Sequence, residues 1–467
     1  DLEFGVAELA RLGLLLLMMQ AALRVRRSVG LAGLVTGAVC LALAALREYL
    51  PNLRGGDAGW RVFAGFSSPN QLAAYLVVLL PLCLAALAWL NETSGPARWL
   101  AGNDVQGASG KLRALGGMGA LLVLAALGLT GSKGGFLAVM VAAVAAAVAL
   151  ARGGRRRAAF GALAALALLA VVALLGPLRA RFVALATQSH SQAFRVLVWG
   201  GSLAMVRAHP LLGCGLGGWP LAYAQSAHSA FTQHAHSDWL GISAEVGLGG
   251  LLALAWLYGV VVADARRHLT DGGQVALGAA ALASVVGVAM AGLVDTGWNV
   301  TAVSGAVVLV AALVAPAAEP SPGRRRGWLA GLALCLLLAA MALSETARAA
   351  GQLAHQSGAP GTAENAYLTA LTWQPWSALA IEDRAGLLAA MDRRDEARAA
   401  YRQAISRRPT SARLHYRLAA CEARWGRLDE AIAQSAVAVA LSPLHLQGRL
   451  QLGQLLERAG RSAEALG

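Results

Sequence analysis

Residues Phe194 to Gly250 read FRVLVWGGSLAMVRAHPLLGCGLGGWPLAYAQSAHSAFTQHAHSDWLGISAEVGLGG. Most of this stretch belongs to a polar interruption, about 176–238, between two apolar runs that are each long enough to cross a bilayer. From Pro177 to His236 there is no Asp or Glu, yet four Arg (179, 181, 195 and 207) and five of the nine His (190, 209, 228, 234 and 236) fall there. A basic, acid-free loop between membrane helices predicts an anionic ligand held at the membrane surface, with the rest of the chain as its support.

The flanking runs are typical of the chain, which is 57% hydrophobic and 14% charged, with a mean hydropathy of +0.57. A soluble globular protein carries about 25% charged residues. Candidate spans lie at about 5–23, 28–46, 70–90, 114–130, 135–151, 158–176, 239–263, 274–293, 298–315 and 328–344, since roughly 20 apolar residues cross the hydrocarbon core. Runs rich in Ala, Leu and Val without a two-residue alternation mean helices rather than a barrel. The expected fold class is all-α: a polytopic membrane helix bundle with a large extracytoplasmic loop and a C-terminal α-solenoid. The start at Asp1, with no charged-then-apolar leader, reads as that of a fragment lacking upstream membrane helices.

The net charge of +14 does not imply a nucleic-acid partner, because most Lys and Arg fall in short loops between apolar runs. Arg24/Arg26/Arg27, Lys111/Arg113, Arg152/Arg155/Arg156/Arg157, Arg266/Arg267 and Arg324/Arg325/Arg326 occupy every second interval. The positive-inside rule places these loops in the cytoplasm. The opposite side then receives 47–69, 176–238 and everything after about 345. The spans read as nearly charge-free, which counts against a transporter with broken helices at mid-membrane. Five cysteines (40, 83, 214, 335 and 421) are scattered without a CxxC. Three lie in apolar runs and read as small hydrophobes, and nothing pairs Cys214 with Cys421.

Past the last span a 34-residue period appears: Pro375, Pro409 and Pro443; Ala363, Ala397, Ala431 and Ala465; Ala370, Ala404 and Ala438; Tyr367 and Tyr401; Gly426 and Gly460, with Gly358 in phase. Small residues where two helices cross, with a Pro closing each pair, resemble tetratricopeptide repeats. Three units are visible, the last truncated. Such solenoids offer a concave surface to protein partners and carry no chemistry of their own.

Within the large loop, 191–209 has helical character, and Arg195 and Trp199 share a face. That helix is expected to lie along the membrane surface. Pro210 ends it, and Gly213, Gly215, Gly217 and Gly218 read as a flexible connection. Gly213-x-Gly215-x-x-Gly218 matches a dinucleotide fingerprint without the βαβ unit that gives the fingerprint meaning. A helix then starts at Ser237 or Asp238, with Glu245 one to two turns in. Three readings of His234-Ala-His236 stay open: a metal site needing Asp238 or Glu245 as a further ligand, a structural pair at the helix start, or a general base at the membrane surface. Earlier in the chain, Arg61 precedes Ser67-Ser68-Pro69-Asn70. This stretch is either a turn with an N-cap or a cationic finger over a substrate phosphate. Lys133, in Thr130-Gly131-Ser132-Lys133-Gly134, either snorkels to the interface or binds an anion.

Arg195-x-x-x-Trp199, Pro210-x-x-Gly213-x-Gly215, His236-x-Asp238-x-Leu240 and Glu245-x-Gly247-x-x-Gly250 together resemble the O-antigen ligase/polymerase family over about residues 5–315. The Arg61 to Asn70 loop and Thr130 to Gly134 look like further family features. Lys133 stands where the family usually has Arg, and Ser237 where it often has Asn. The resemblance implies a metal-independent, inverting glycosyltransferase without a cofactor, acting on an undecaprenyl-diphosphate-linked glycan. The acceptor would be lipid A core, a growing glycan or, in an alternative reading, a protein. His236 would deprotonate or orient the acceptor hydroxyl, Arg195 would bind the diphosphate and Glu245 would position. Arg61, Lys133, Arg207, His234 and Asn70 would complete the substrate-binding set. The implied layout is a transmembrane glycosyltransferase-like domain at 1–345, with 176–238 as its catalytic loop, and a repeat domain at 346–467. The bacterial inner membrane would hold it, with the loop and the repeats in the periplasm. A non-enzymatic membrane scaffold that recruits partners through its repeats is the competing class.

Overall fold

The structure is a computed structural model. It describes residues 2–25, 27–56, 60–92, 105–152, 155, 189–226, 232, 234–270, 274–316, 340–341, 343–443, 445–461 and 464. Among these residues every regular element is a helix: α1 (Leu2–Ala22), α2 (Arg27–Arg54), α3 (Pro69–Glu92), α4 (Val105–Thr130), α5 (Lys133–Arg152), α6 (Ser189–Ala208), α7 (Trp219–Ser226), α8 (Asp238–Thr270), α9 (Val275–Val294) and α10 (Thr301–Val314). After these come α11 (343–356), α12 (Pro360–Trp373), α13 (Ala378–Ala390), α14 (Arg394–Arg407), α15 (Ala412–Arg424), α16 (Leu428–Leu441) and α17 (Leu446–Arg458). Five helices, α2, α3, α5, α8 and α9, are long and apolar enough to cross a membrane. The expected span at 158–176 and residues 328–339 and 342 of the expected span at 328–344 lie outside the described residues.

Helix α9 is the centre of the bundle and packs against α3, α5 and α8. Eleven of its twenty residues are Ala, Gly or Ser, which lets neighbouring backbones approach closely, the usual basis of helix association in lipid. A Cβ on Gly287 would lie 2.7 Å from Val77, and one on Gly278 would lie 2.6 Å from the Ala265 carbonyl oxygen. Ser284 donates across the gap to the Val78 carbonyl at 2.6 Å, so its hydroxyl is satisfied where no water reaches.

The two ends of the bundle differ. At one end Arg27, at the start of α2, donates to Gln274 (2.8 Å) and to the Ala315 carbonyl (2.7 Å), near Arg266 and Arg267. At the other end lie the 60–68 loop, the 131–132 turn, the start of α8 and the 295–300 turn. A few charges do fall within the apolar runs: Glu8 and Arg11 in the first, and Glu245 in the run that starts at 239. Arg11 of α1 is buried and donates to the Trp298 carbonyl at 2.7 Å and to Ser304 at 3.4 Å.

Helix α8 is not the single straight span that its apolar run predicts. Gly247 has φ +68° and ψ −158°, a conformation open only to glycine. Trp239 and Tyr258 are 19 residues apart, which along a straight helix would separate them by about 28 Å, yet their ring centroids are 6.1 Å apart. The chain therefore climbs from Asp238 to an elbow at Gly247 and folds back down through Tyr258. The Pro210–Gly215 segment is seated on that elbow. The Cys214 amide donates to the Ala244 carbonyl (2.8 Å), the Gly215 amide to the Glu245 carbonyl (2.9 Å), and the Leu248 amide to the Pro210 carbonyl (2.9 Å). The break frees these helix groups and the turn satisfies them. The glycine-rich connection is thus a docked turn rather than a flexible one, with positive φ at Gly213, Gly215 and Gly217.

The C-terminal helices form the expected antiparallel pairs: α11/α12, α13/α14 and α15/α16, followed by α17. The three units of the sequence reading, the last of them truncated, become three complete pairs with α17 opening a fourth. The periodic Ala363, Ala397, Ala431, Ala370, Ala404 and Ala438 are buried, as are Tyr367 and Tyr401. Gly358 and Gly426 have positive φ at the turn within their pairs and Gly460 has it after α17, and Asp392 takes the same conformation at the phase-equivalent position between Gly358 and Gly426. Successive pairs are joined by Arg348 to Asp383 (2.7 Å), Arg413 to Glu382 (2.6 Å) and Arg398 to Glu422 (2.7 Å).

Candidate active site

Helices α6 and α7 and the rising arm 238–246 share a small core of Val198, Met205, Trp219, Tyr223, Ala235 and Ala244. Val198, Ser202 and Met205 lie on the inward stripe of α6, where Ser202 accepts from the Trp219 indole at 3.2 Å. Gly201 leaves room for Tyr223, whose ring would lie 2.6 Å from a Cβ there. This packing turns Arg195 and Trp199, one helical turn apart, towards the start of α8. The Trp199 indole donates to the His236 carbonyl at 3.3 Å. Phe194 meets the His236 ring edge-on at 5.7 Å between centroids.

His236 has φ +50°, a left-handed conformation that is costly for a residue with a side chain and persists only where its surroundings enforce it. Burial pushes its imidazole below the ordinary value of 6.5; the Asp295 carboxylate acts in the opposite direction, and the Arg195 guanidinium adds to the lowering. Arg195 and Asp295 are paired at 3.8 Å, both partly exposed, a loose contact that a better anion would displace. His236, Arg195 and Asp295 thus form one cluster.

Asp295 escaped the sequence reading, which treated the region as acid-free, because it arrives from the end of α9, far from the large loop. The only available signal was an acid placed directly after an apolar run. Asp238 was also missed as a structural group. It is buried, and its carboxylate accepts from the Gly297 amide (3.1 Å) and the Trp298 amide (3.0 Å), while its own amide donates to the Asp295 carbonyl (3.2 Å). Asp238 and Arg11 therefore hold the two faces of the turn that carries Asp295. Ser237 caps α8, accepting from the Leu240 amide at 3.4 Å.

Arg61 donates from Nε to the Thr130 carbonyl (2.7 Å) and from Nη2 to Asn70 Oδ1 (2.8 Å), pinning the 60–68 loop to the end of α4 and the start of α3. Ser68 accepts from the Asn70 amide at 3.2 Å, so the turn with an N-cap is present and Arg61 and Asn70 are parts of its frame. In the next turn Ser132 accepts from the Gly135 amide at 3.1 Å, which sets exposed Lys133 at the first position of α5. A Cβ on Gly134 would lie 2.9 Å from Val294. Arg61, Asn70, Lys133, Arg195 and His236 therefore gather at the same end of the bundle. His234 borders a cavity of about 690 Å³ together with Phe66, Ser67, Gln71, Tyr75 and Asn299.

Two candidates are not brought to the cluster. Arg207 is exposed twelve residues beyond Arg195 on the same helix, about 18 Å along its axis. Glu245 stands at the elbow, about 10 Å of helix rise from Asp238. Its backbone receives the Gly215 amide, and its charge, after burial, helps push the Cys214 thiol up to about 11. Among the described residues no group of three His, Cys, Asp or Glu side chains is arranged to hold a metal ion.

The His236 and Arg195 geometry lies inside a stretch with a known counterpart. Residues 118–255 match the family model described as O-antigen ligase. Residues 383–411 match a tetratricopeptide repeat model. No curated protein matches the chain. Solved structures similar to it include MamA, at 20% identity and a TM-score of 0.25 over 30% of this chain and 74% of that one. The TPR domain of Arabidopsis OM64 is another, at 19% identity and 0.24 over 26% and 98%. The O-antigen ligase match supports a membrane protein with a role in ligating or polymerising lipid-linked glycan, and the repeats suit protein partners.

Proposed function

We propose that the protein transfers a glycan from undecaprenyl diphosphate to a hydroxyl group at the end of the bundle where Arg195, His236 and Asp295 meet. The observation that carries this reading is the proximity of a half-buried imidazole, whose burial lowers its proton affinity, to an arginine in a loose 3.8 Å ion pair. His236 takes the proton of the acceptor hydroxyl while that oxygen attacks the anomeric carbon. The bond from that carbon to the diphosphate oxygen breaks on the opposite face, and its electron pair leaves with the diphosphate, so configuration inverts. Arg195 exchanges Asp295 for the diphosphate and stabilises its growing charge, with Lys133 and Arg61 adding positive potential nearby. Asp295 then faces the protonated imidazole. Diphosphate is a good leaving group, so positioning and charge stabilisation suffice.

In this reading the site faces the periplasm from a bacterial inner membrane. Residues 1–345 form the membrane unit, and 346–467 form a repeat unit that presents protein partners. The acceptor is lipid A core, a growing glycan or a protein brought by the repeats. The test uses reconstituted vesicles with lipid-linked donor. His236→Ala is expected to abolish transfer while retaining donor binding. Arg195→Ala is expected to weaken donor binding more than Arg195→Lys, with Lys still short of the parent because a point charge replaces a bidentate fork. Transfer by His236→Ala at the parent rate refutes the assignment.

A further inference from the structure

Where the bundle meets lipid on the site side is marked by the outward stripe of α8. Leu248, Leu252 and Trp256 fall four apart, and all are exposed, Trp256 at 72%. From Gly247 to Ala265, the last residue before Arg266 and Arg267, there are 18 residues of rise, about 27 Å, against a hydrocarbon core of about 30 Å. The elbow therefore stands at the boundary between acyl chains and headgroups on the site side.

The Pro210–Gly215 turn is bonded to that elbow through the Leu248 amide and the Pro210 carbonyl. The next two residues, Leu211 and Leu212, are exposed at 68% and 85%. They extend the lipid-facing stripe of α8 by two leucines, at the level where that stripe leaves the core. On the α6 side Val196, Leu197 and Leu203 are also exposed, and Arg207 and His209 flank the leucines. Apolar side chains next to a cation, at interface height and continuous with a spanning surface, are the composition of an interfacial anchor.

We propose that Leu211 and Leu212 insert into the leaflet on the site side, with Arg207 at the level of the lipid phosphates. The occupant of this patch is the bilayer. The contact fixes the height of α6, and with it Arg195, relative to the plane in which a lipid-borne substrate diffuses. This gives exposed Arg207 a role away from the His236 cluster, and the inference stands whether or not the transfer chemistry is right.

The test is nitroxide depth measurement on the full chain in nanodiscs that contain anionic lipid, in a background with Cys40, Cys83, Cys214, Cys335 and Cys421 replaced. Labels go on Leu212→Cys and Arg207→Cys, with Leu252→Cys as the lipid reference and Leu446→Cys, exposed on the solenoid, as the water reference. Position 212 is expected to collide more with oxygen than with a water-soluble nickel chelate, at a depth of about 5–10 Å, and position 207 to be shallower. Nickel-dominated collisions at 212, like those at 446, overturn the proposal. Low collision with both reagents means that another part of the chain covers the patch. Broadening that grows with the number of chains per disc means that a second copy does, and either result also overturns it.

Discussion

Gly247→Ala probes the elbow directly. A Cβ at Gly247 would lie 2.3 Å from the Leu211 carbonyl oxygen and 2.7 Å from the Leu212 amide nitrogen, in a backbone conformation closed to alanine. Retaining that conformation costs about 1–3 kcal/mol before any overlap is counted, and the overlap is with backbone, which cannot rotate away. The cheaper response is for the turn to leave its seat. That forfeits three backbone hydrogen bonds, about 1 kcal/mol each, or about 3 kcal/mol in all. At 1.4 kcal/mol per decade, amide protection at Cys214, Gly215 and Leu248 should fall about 100-fold. Hydrogen exchange on the purified protein in nanodiscs reads this, with α3 and α9 amides as an unchanged control. Gly213→Ala attacks the same contact from the other side, since its Cβ would lie 2.3 Å from the Glu245 carbonyl oxygen. Once the turn is unseated the second substitution adds little, so the double variant should cost clearly less than the sum of the two. Unchanged protection in Gly247→Ala, or additive costs in the pair, refutes the docked turn.

The pH dependence of transfer follows from His236. A base is active when neutral, and burial lowers the pH at which it becomes so, so the acid limb of the rate profile should lie below the ordinary value of 6.5. Asp295→Asn removes the influence that raises the imidazole and should move that limb to lower pH, whereas Arg195→Ala should move it to higher pH in whatever activity remains. Asp238→Ala strands the buried Gly297 amide, at about 1–3 kcal/mol, and the part-buried Trp298 amide, at less. A lowered midpoint of thermal unfolding checks this, with Asp238→Asn milder because one acceptor oxygen remains. Arg61→Ala severs the bonds to the Thr130 carbonyl and Asn70, so exchange should rise across 60–68 even without donor lipid. A change seen only with donor present would instead mark a ligand contact.

The all-helical apolar bundle and the solenoid were legible because each depends on a repeated quantity: length of apolar run in one case, a 34-residue period in the other. Asp392 shows the limit even there, taking a left-handed turn position that glycine fills in the other units. The elbow was not legible, since Gly247 is one of several glycines in an apolar helix and only its neighbour in space, the Pro210–Gly215 turn, gives it a purpose. Arg195 and His236 were found as basic groups in an acid-free loop between apolar runs and through the motifs that resemble a known family. Their acid partner was not, because Asp295 reaches them through the packing of α9 against α8. Arg11 was overlooked for a similar reason, as a charge in a long apolar run whose carbonyl partner lies 287 residues away.

The reach of Asp238 bears on how the molecule is made. Its two amide partners are encoded 59 and 60 residues downstream, an interval a ribosome covers in about 3–12 s at about 5–20 residues per second. Until those residues emerge, the newborn polypeptide has its imidazole but nothing to lock the first arm of α8 in place. On the proposed reading, a stalled or prematurely terminated product is therefore expected to be inactive, and competence arrives only when translation has passed the end of α9.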